Sequence, residues 1–295
     1  MIKILIVALV LILVVFIYRE SSGYNIVEYR LFTDKDIDTP VRFVMISDLH
    51  DTDVSHDGNE KLFGSIVSLD PDFIILAGDM INSYMTRNFD TDVAFALLRR
   101  LSENYRMYYG LGNHEQRFKE EPDRFPGMFE ELTDNIQKLG IKLLSDSFID
   151  DENTGIRIYG FDIPIEQYRR IGAGDLPKGK LNGVFGTVDK ERYNILIAHN
   201  PVFFKDYAEF SPDLVLAGHL HGGVVALPGI GGVISPQLKL FPKYDYGRYE
   251  SGATTMIVSR GIGWHTIPIR IFNKAEIVSV VIDKINRGEQ DGNQC

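Results

Sequence analysis

The sequence predicts an α/β domain built on two β-sheets, behind an apolar N-terminal segment. Three observations carry that expectation. First, short runs rich in Val, Ile and Tyr recur from Val41 onward: RFVMIS, DFIILAG, YRMYYGLG, IRIYGF, YNILIAH, DLVLAG, TMIVSR and EIVSVVID. Their length and composition suit buried strands. Second, helix-like patterns fall between some of them, at Asn59–Leu69, Asp92–Ser102 and Met128–Leu139. Third, strands alternate with helices at first and then dominate, the order of an α/β sandwich on two sheets.

The elements follow in chain order. Ile4–Tyr18, ILIVALVLILVVFIY, is unbroken apolar sequence between Lys3 and Arg19. As a helix it spans about 22 Å, short of the roughly 30 Å hydrocarbon core. Met1 and Ile2 lengthen it, and Lys3 and Arg19 can snorkel. The following RESSGYN has small residues but no A-x-A cleavage site. Residues 1–20 therefore read as a retained single-pass anchor in the cell membrane, meeting the bilayer through residues 2–18. A cleaved signal core and a buried core helix are the rival readings. The flanking charges set topology weakly, and the domain that follows is expected on the extracytoplasmic side. Residues 21–40 read as a juxtamembrane link with an edge strand in YNIVEYRLF, residues 41–285 as the main domain, and residues 286–295 as a disordered tail.

Composition excludes some classes. Of 295 residues, 44% are hydrophobic and 24% charged, so a sizeable core is expected. Net charge is −10 with no basic block, which argues against a nucleic-acid partner. An anionic substrate remains compatible, because a bound metal supplies local positive charge. The single cysteine, Cys295, closes no internal disulfide.

The chemistry lies directly after the apolar runs. RFVMIS leads into Asp48-Leu49-His50, DFIILAG into Asp79, YRMYYGLG into Asn113-His114-Glu115, YNILIAH into His199-Asn200 and DLVLAG into His219-Leu220-His221. Carboxyl ends of strands are where ligands bind in open α/β sheets. Five of the seven histidines fall in this set. Imidazole and carboxylate together suit Mn, Fe or Zn. A D-x-H or H-x-H pair at an extended strand end points both side chains one way. Gly218, Gly222 and Gly223 are expected to let the backbone approach a bound ion.

The ordered motifs DLH (48–50), GD (78–79), GNHE (112–115), AHNP (198–201) and GHLH (218–221) resemble those of the calcineurin-like metallophosphoesterase family. LPGIGG (227–232), FPKYDYGRY (241–249) and SRGIG with PIRIFNKAEI (259–277) resemble its small membrane-associated bacterial branch, which includes enzymes of the UDP-2,3-diacylglucosamine pyrophosphohydrolase type. The resemblance covers residues 24–283. It implies a four-layer α/β/β/α sandwich of two mixed sheets with flanking helices, preceded here by the N-terminal transmembrane helix, and two divalent metal ions, Mn, Fe or Zn. Carried over by position, Asp48, His50 and His221 bind the first metal, Asn113, His199 and His219 the second, and Asp79 bridges them. His114 faces the substrate as the catalytic residue. Leu220 and Val224 depart from the branch's usual polar residues, and Leu220 is expected to make the site rim apolar.

The resemblance thus implies a metal-dependent hydrolase of a phosphodiester or pyrophosphate bond, acting through metal-activated hydroxide. Its partner is a phosphorylated small molecule or a lipid-linked or cell-envelope substrate, a UDP-diacylglucosamine-type precursor of lipid A biosynthesis being one example. Glu115, His265 and Arg260 are expected to contact substrate; Glu115 alternatively orients His114 or pairs with an Arg. The segment QRFKEEPDRFPGMFEEL is expected to form a substrate-selecting cap. Two rival readings remain: a catalytically silent binding scaffold, and a metal-dependent hydrolase of a non-phosphate bond.

Overall fold

The structure, a computed structural model, describes residues 2–37, 40–83, 92–169, 174–223, 225–227, 231–234, 240–264 and 270–285. His265, Val224 and the tail from residue 286 lie outside the described residues.

Helix α1 (Ile2–Ser21) precedes β1 (Tyr24–Thr33) and β2 (Val41–Ile46). Four helices then alternate with strands: α2 (Glu60–Ser68), β3 (Phe73–Ala77), α3 (Val93–Ser102), β4 (Arg106–Gly110), α4 (Asn113–Glu120), α5 (Met128–Lys138) and β5 (Lys142–Leu144). The second half runs β6 (Ser147–Asp150), β7 (Arg157–Gly160), α6 (Lys180–Phe185), β8 (Asn194–Ile197), α7 (Phe204–Phe210) and β9 (Leu214–Ala217). It ends with β10 (Val225–Leu227), β11 (Gly231–Ile234), β12 (Gly247–Ser251), β13 (Thr254–Val258) and β14 (Ala275–Lys284).

Two six-stranded mixed sheets result, ordered β1-β14-β2-β3-β4-β5 and β12-β13-β9-β8-β7-β6, beside a β10-β11 hairpin. Strands β2 to β5 are parallel, as are β7, β8, β9 and β13. The last strand, β14, returns to lie parallel to β1 and antiparallel to β2. The C-terminal strand thereby completes the N-terminal sheet.

The period-2 pattern of each buried strand sorts its residues into two clusters. Phe43, Met45, Phe73 and Ile75 face Ile195, Ile197, Leu214 and Ile257 of the other sheet. Val44, Ile46, Ile74 and Leu76 face outward onto α2 to α5. Leu196, Val215 and Met256 face outward onto α6 and α7. The helices bury residues four apart, Leu62 and Ile66 in α2 and Leu132 and Ile136 in α5, so one stripe of each meets the sheet. Each fully buried side chain of this size contributes about 1.5–3 kcal/mol.

Phe118, Phe125, Met128 and Phe129, expected in a cap, instead pack on the outer cluster of the first sheet. Leu220, expected at the site rim, is buried. Burial of these side chains against neighbouring helices and strands is favoured over exposure at a pocket mouth.

Candidate metal centre

Parallel strands place their carboxyl ends together. Asp48 and His50 follow β2, Asp79 follows β3, Asn113 and His114 open α4, His199 follows β8, and His219 and His221 follow β9. Among the described residues, three groups bring ligand atoms within 4.8 Å of one another: Asp48, His50 and His221; His50, Asp79 and His114; and Asp79, His199 and His219. His221 Nε2 stands 3.2 Å from Asp48 Oδ1 and 3.1 Å from His50 Nε2. His50 Nε2 is also 3.8 Å from Asp79 Oδ2, which is 3.2 Å from His199 Nε2. Asp79 therefore belongs to two of the three groups, and His50 links it to the third.

The convergence is not produced by an extended pleat, as the D-x-H and H-x-H spacing suggested. Asp48, His50, Asp79, His219 and His221 have φ of 56°, 48°, 54°, 69° and 50°. Each left-handed non-glycine residue costs about 1–3 kcal/mol, a strain that clusters at functional sites. The backbone turns sharply past each strand end and folds the side chains inward. Nor does Gly218 make room for an ion: a Cβ there would overlap Ser47 Oγ and Asp48 Oδ2. At Gly78, φ +88°, a Cβ would lie 2.6 Å from Gly112 Cα and 2.7 Å from His199 Nδ1. The loops after β3 and β4 pack directly on each other.

Hydrogen bonds assign the ring nitrogens. His199 Nδ1 lies 2.7 Å from Ala77 O, which can only accept, so Nδ1 carries a proton and, in the neutral ring, Nε2 offers a lone pair. That lone pair faces Asp79 Oδ2, an arrangement that calls for a cation. His114 is the reverse. Ser83 N donates to its Nδ1 at 2.8 Å, so the neutral ring carries its proton on Nε2, 4.0 Å from Asp79 Oδ2.

The electrostatics agree. Burial opposes ionisation of Asp48 and Asp79, but His221 and His199 hold Asp48, and His199 and His114 hold Asp79, below the usual carboxylate range. Burial and the neighbouring His199 push His219 down to about 3. With no cation present, Asp79 and Asp48 together outweigh burial and raise His199 to about 10, so Nε2 then holds a proton toward Asp79, and its lone pair is offered only when a cation takes that proton's place. Asn113 Oδ1 is buried with no hydrogen-bond partner among the described residues, an acceptor in need of a ligand. These His, Asp and Asn side chains are suited to binding a metal centre.

The profile of the family described as "Calcineurin-like phosphoesterase" matches residues 41–223, more than half of the chain. The chain belongs to the calcineurin-like phosphoesterase family. It is a hydrolase of phosphoric esters. Relatives span most of its length. An uncharacterised metallophosphoesterase of Aquifex aeolicus is 25% identical over 277 residues, covering 90% of this chain and 94% of the relative. Phosphodiesterase YaeI of Escherichia coli is 26% identical, covering 83% and 84%. A "Transmembrane protein with metallophosphoesterase domain" from Danio rerio is 26% identical, covering 82% of this chain and 53% of that protein.

In this phosphoesterase two of the three expected substrate contacts, Glu115 and Arg260, are engaged by other groups of the protein. Glu115 is fully buried, and its carboxylate accepts from the backbone N–H of Asp79, Met80 and Gly112, each at 2.9 Å, and from Tyr109 OH at 2.7 Å. It holds the loops instead of a substrate, because these four donors, with Ile81 N–H at 3.3 Å, saturate its oxygens. Arg260 turns its guanidinium to Glu276, with Nε 3.4 Å from Oε2, and stacks it 3.7 Å above the Tyr246 ring. His265 lies outside the described residues. Other neighbours carried no sequence signal. Ser83 fixes the His114 tautomer, Ser47 Oγ donates to Asp48 Oδ2, Tyr168 sets its ring 4.8 Å from that of His219, and Asn273 Nδ2 donates to the carbonyls of His221 and Gly223.

Proposed function

We propose that this phosphoesterase is a membrane-anchored, binuclear phosphodiesterase whose substrate is lipid-linked. In this reading Asp48, His50 and His221 hold one divalent ion, Asn113, His199 and His219 hold the other, and Asp79 lies between them. The observation that supports it is the chain of buried donor groups in which His50 joins the Asp48 and His221 group to Asp79, and Asp79 joins His50 to His199 and His219. Mixed imidazole and carboxylate donors favour Mn, Fe or Zn. Bound ions supply charge to the phosphoryl oxygens and an acidic water as nucleophile. His114 shares a group with His50 and Asp79, but its Nδ1 lone pair is taken by Ser83 N–H, so it is read as a proton donor and not as a ligand. Its Nε2–H is aimed into the cluster, and it donates that proton to the leaving oxygen. Glu115 keeps the Asp79 loop in its left-handed turn.

Two features support the membrane side. Helix α1 is 20 residues long, and Lys3–Ser21 has a mean hydropathy of 2.5, with large apolar side chains exposed from Ile4 to Val15. One relative is named a transmembrane protein. The relative named a phosphodiesterase favours a diester over the pyrophosphate of a UDP-linked lipid. The catalytic domain faces outward. A membrane-impermeant thiol reagent on intact cells reads that orientation at Cys295; labelling only after permeabilisation places the domain inside.

The central test uses the full chain in detergent, stripped of metal and re-supplied with Mn²⁺, Fe²⁺, Zn²⁺ or Mg²⁺. Hydrolysis of a chromogenic phosphodiester is compared with that of the matching monoester, with Asp79→Asn as control. Metal-dependent diester turnover that the variant lacks supports the reading; monoester preference overturns the phosphodiesterase part of it.

A further inference from the structure

Four large apolar side chains of the catalytic domain are exposed on the end of β10 and on neighbouring loops: Leu227 at 39%, Leu240 at 64%, Phe241 at 59% and Phe272 at 46%. The loops are tied together. Ala226 N donates to Ile271 O at 3.0 Å, and Phe241 N donates to Val233 O at 2.9 Å, across the β10-β11 hairpin. A contiguous apolar face on a soluble domain marks a binding surface.

This face is continuous with α1. The Phe272 ring packs 5.0 Å from that of Phe16, inside the apolar helix. Three residues beyond the apolar stretch that ends at Tyr18, Ser21 Oγ accepts from Arg270 N at 2.9 Å. The helix end is therefore bonded to the loop that carries Phe272. Polar groups border the face where headgroups would lie. Lys243 is exposed two residues after Phe241. Lys274 and Lys61 line an open groove of about 710 Å³ with Ser22 and His56 at the foot of α1. Apolar tips flanked by amines are the pattern of an interfacial surface.

The same loop reaches the metal centre. Asn273, next to Phe272, donates to the His221 carbonyl at 2.5 Å. The Arg270 guanidinium donates to the carbonyls of Arg260 at 3.0 Å and Gly263 at 2.7 Å. Gly263 N in turn donates to Asp48 O at 2.8 Å.

We infer that the face formed by Leu227, Leu240, Phe241 and Phe272 rests in the lipid bilayer surface, so that the domain itself seats the metal centre at the membrane. The inference builds on the reading of α1 as a membrane anchor. A phosphoester in a lipid headgroup then reaches His221 and Asp48 without leaving the bilayer.

Spin labelling of the full chain tests it. Cys295→Ser removes the native thiol, and Leu9→Cys, Leu240→Cys, Phe241→Cys or Glu103→Cys adds one. Glu103 is exposed and precedes β4, at the end of the sheet opposite the metal centre. The labelled proteins are reconstituted in vesicles of phosphatidylethanolamine and phosphatidylglycerol, and unaltered thermal melts show that they are folded. Oxygen concentrates in acyl chains and a nickel chelate stays in water, so their collision rates report depth. Oxygen should dominate at 9, 240 and 241, and nickel at 103. Labels at 240 and 241 as nickel-accessible as the one at 103, with 9 in lipid, overturn the inference and leave the anchor standing. A water-exposed label at 9 overturns the anchor itself. Spin–spin broadening at 240 and 241, with both colliders excluded, means that a second copy of the chain covers the face, and overturns it as well.

Discussion

Glu115 holds Asp79 by its backbone. The Glu115 carboxylate accepts the Asp79 N–H at 2.9 Å and, through its other oxygen, the Met80 N–H at 2.9 Å. Asp79 sits at φ 54°, a conformation a non-glycine residue keeps only when its surroundings enforce it. Burial and the nearby Asp79 charge raise Glu115 to about 7, so the clamp is a costly group retained for what it positions.

Glu115→Gln places an amide where one oxygen accepted N–H groups, which sets donor against donor. Loss of about 2–4 kcal/mol is expected, with lower metal content. Urea unfolding and metal analysis read both. Unchanged stability and full metal loading would remove the clamp.

His114→Ala and Asp79→Asn should separate chemistry from binding. The first keeps its metals and loses about 10²–10⁴-fold in turnover, most for poor leaving groups, as befits a proton donor. The second loses metal and activity together. Metal analysis beside a leaving-group series tells them apart; metal lost from the His114 variant would contradict the tautomer set by Ser83.

Asn273→Ala removes the two hydrogen bonds that hold the His221 and Gly223 carbonyls. Outer contacts of this kind are worth about 10–100-fold in metal affinity. Competition with a chelator measures it, and the global melting temperature should fall far less.

Lys119→Met probes a link between the sheets. Lys119 Nζ, on α4, lies 2.6 Å from Asp162 Oδ2, just past β7. Burial raises the Asp162 carboxyl above its ordinary value although Lys119 opposes it. With a raised folded value, stability from this group is full at low pH and is lost as pH rises through that value. Without the amine that loss grows. The lysine is about a third exposed, so the cost near neutral pH is about 1–2 kcal/mol. Urea melts at neutral and mildly acidic pH should show the deficit closing in acid; a deficit equal at both contradicts the pairing.

The apolar runs and helix patterns were legible because burial imposes periodicity within a few residues. The order of the sheets was not. Strand β14 inserts between β1 and β2, pairing Val278 with Met45, and no local pattern encodes a partner that distant.

The sequence by itself determined the family and named the candidate donors. Asp48, His50, Asp79, Asn113, His199, His219 and His221 each follow an apolar run, and that adjacency is local chemistry. Tertiary structure decided how those residues act. It turned five of them into left-handed geometry, gave His199 and His114 opposite tautomers through Ala77 and Ser83, drew Glu115 from the substrate to the backbone, and bonded the end of α1 to Arg270. Each of these depends on a single donor or acceptor brought from another part of the fold, and a hydrogen bond's direction is fixed by its partner, which composition and spacing do not name.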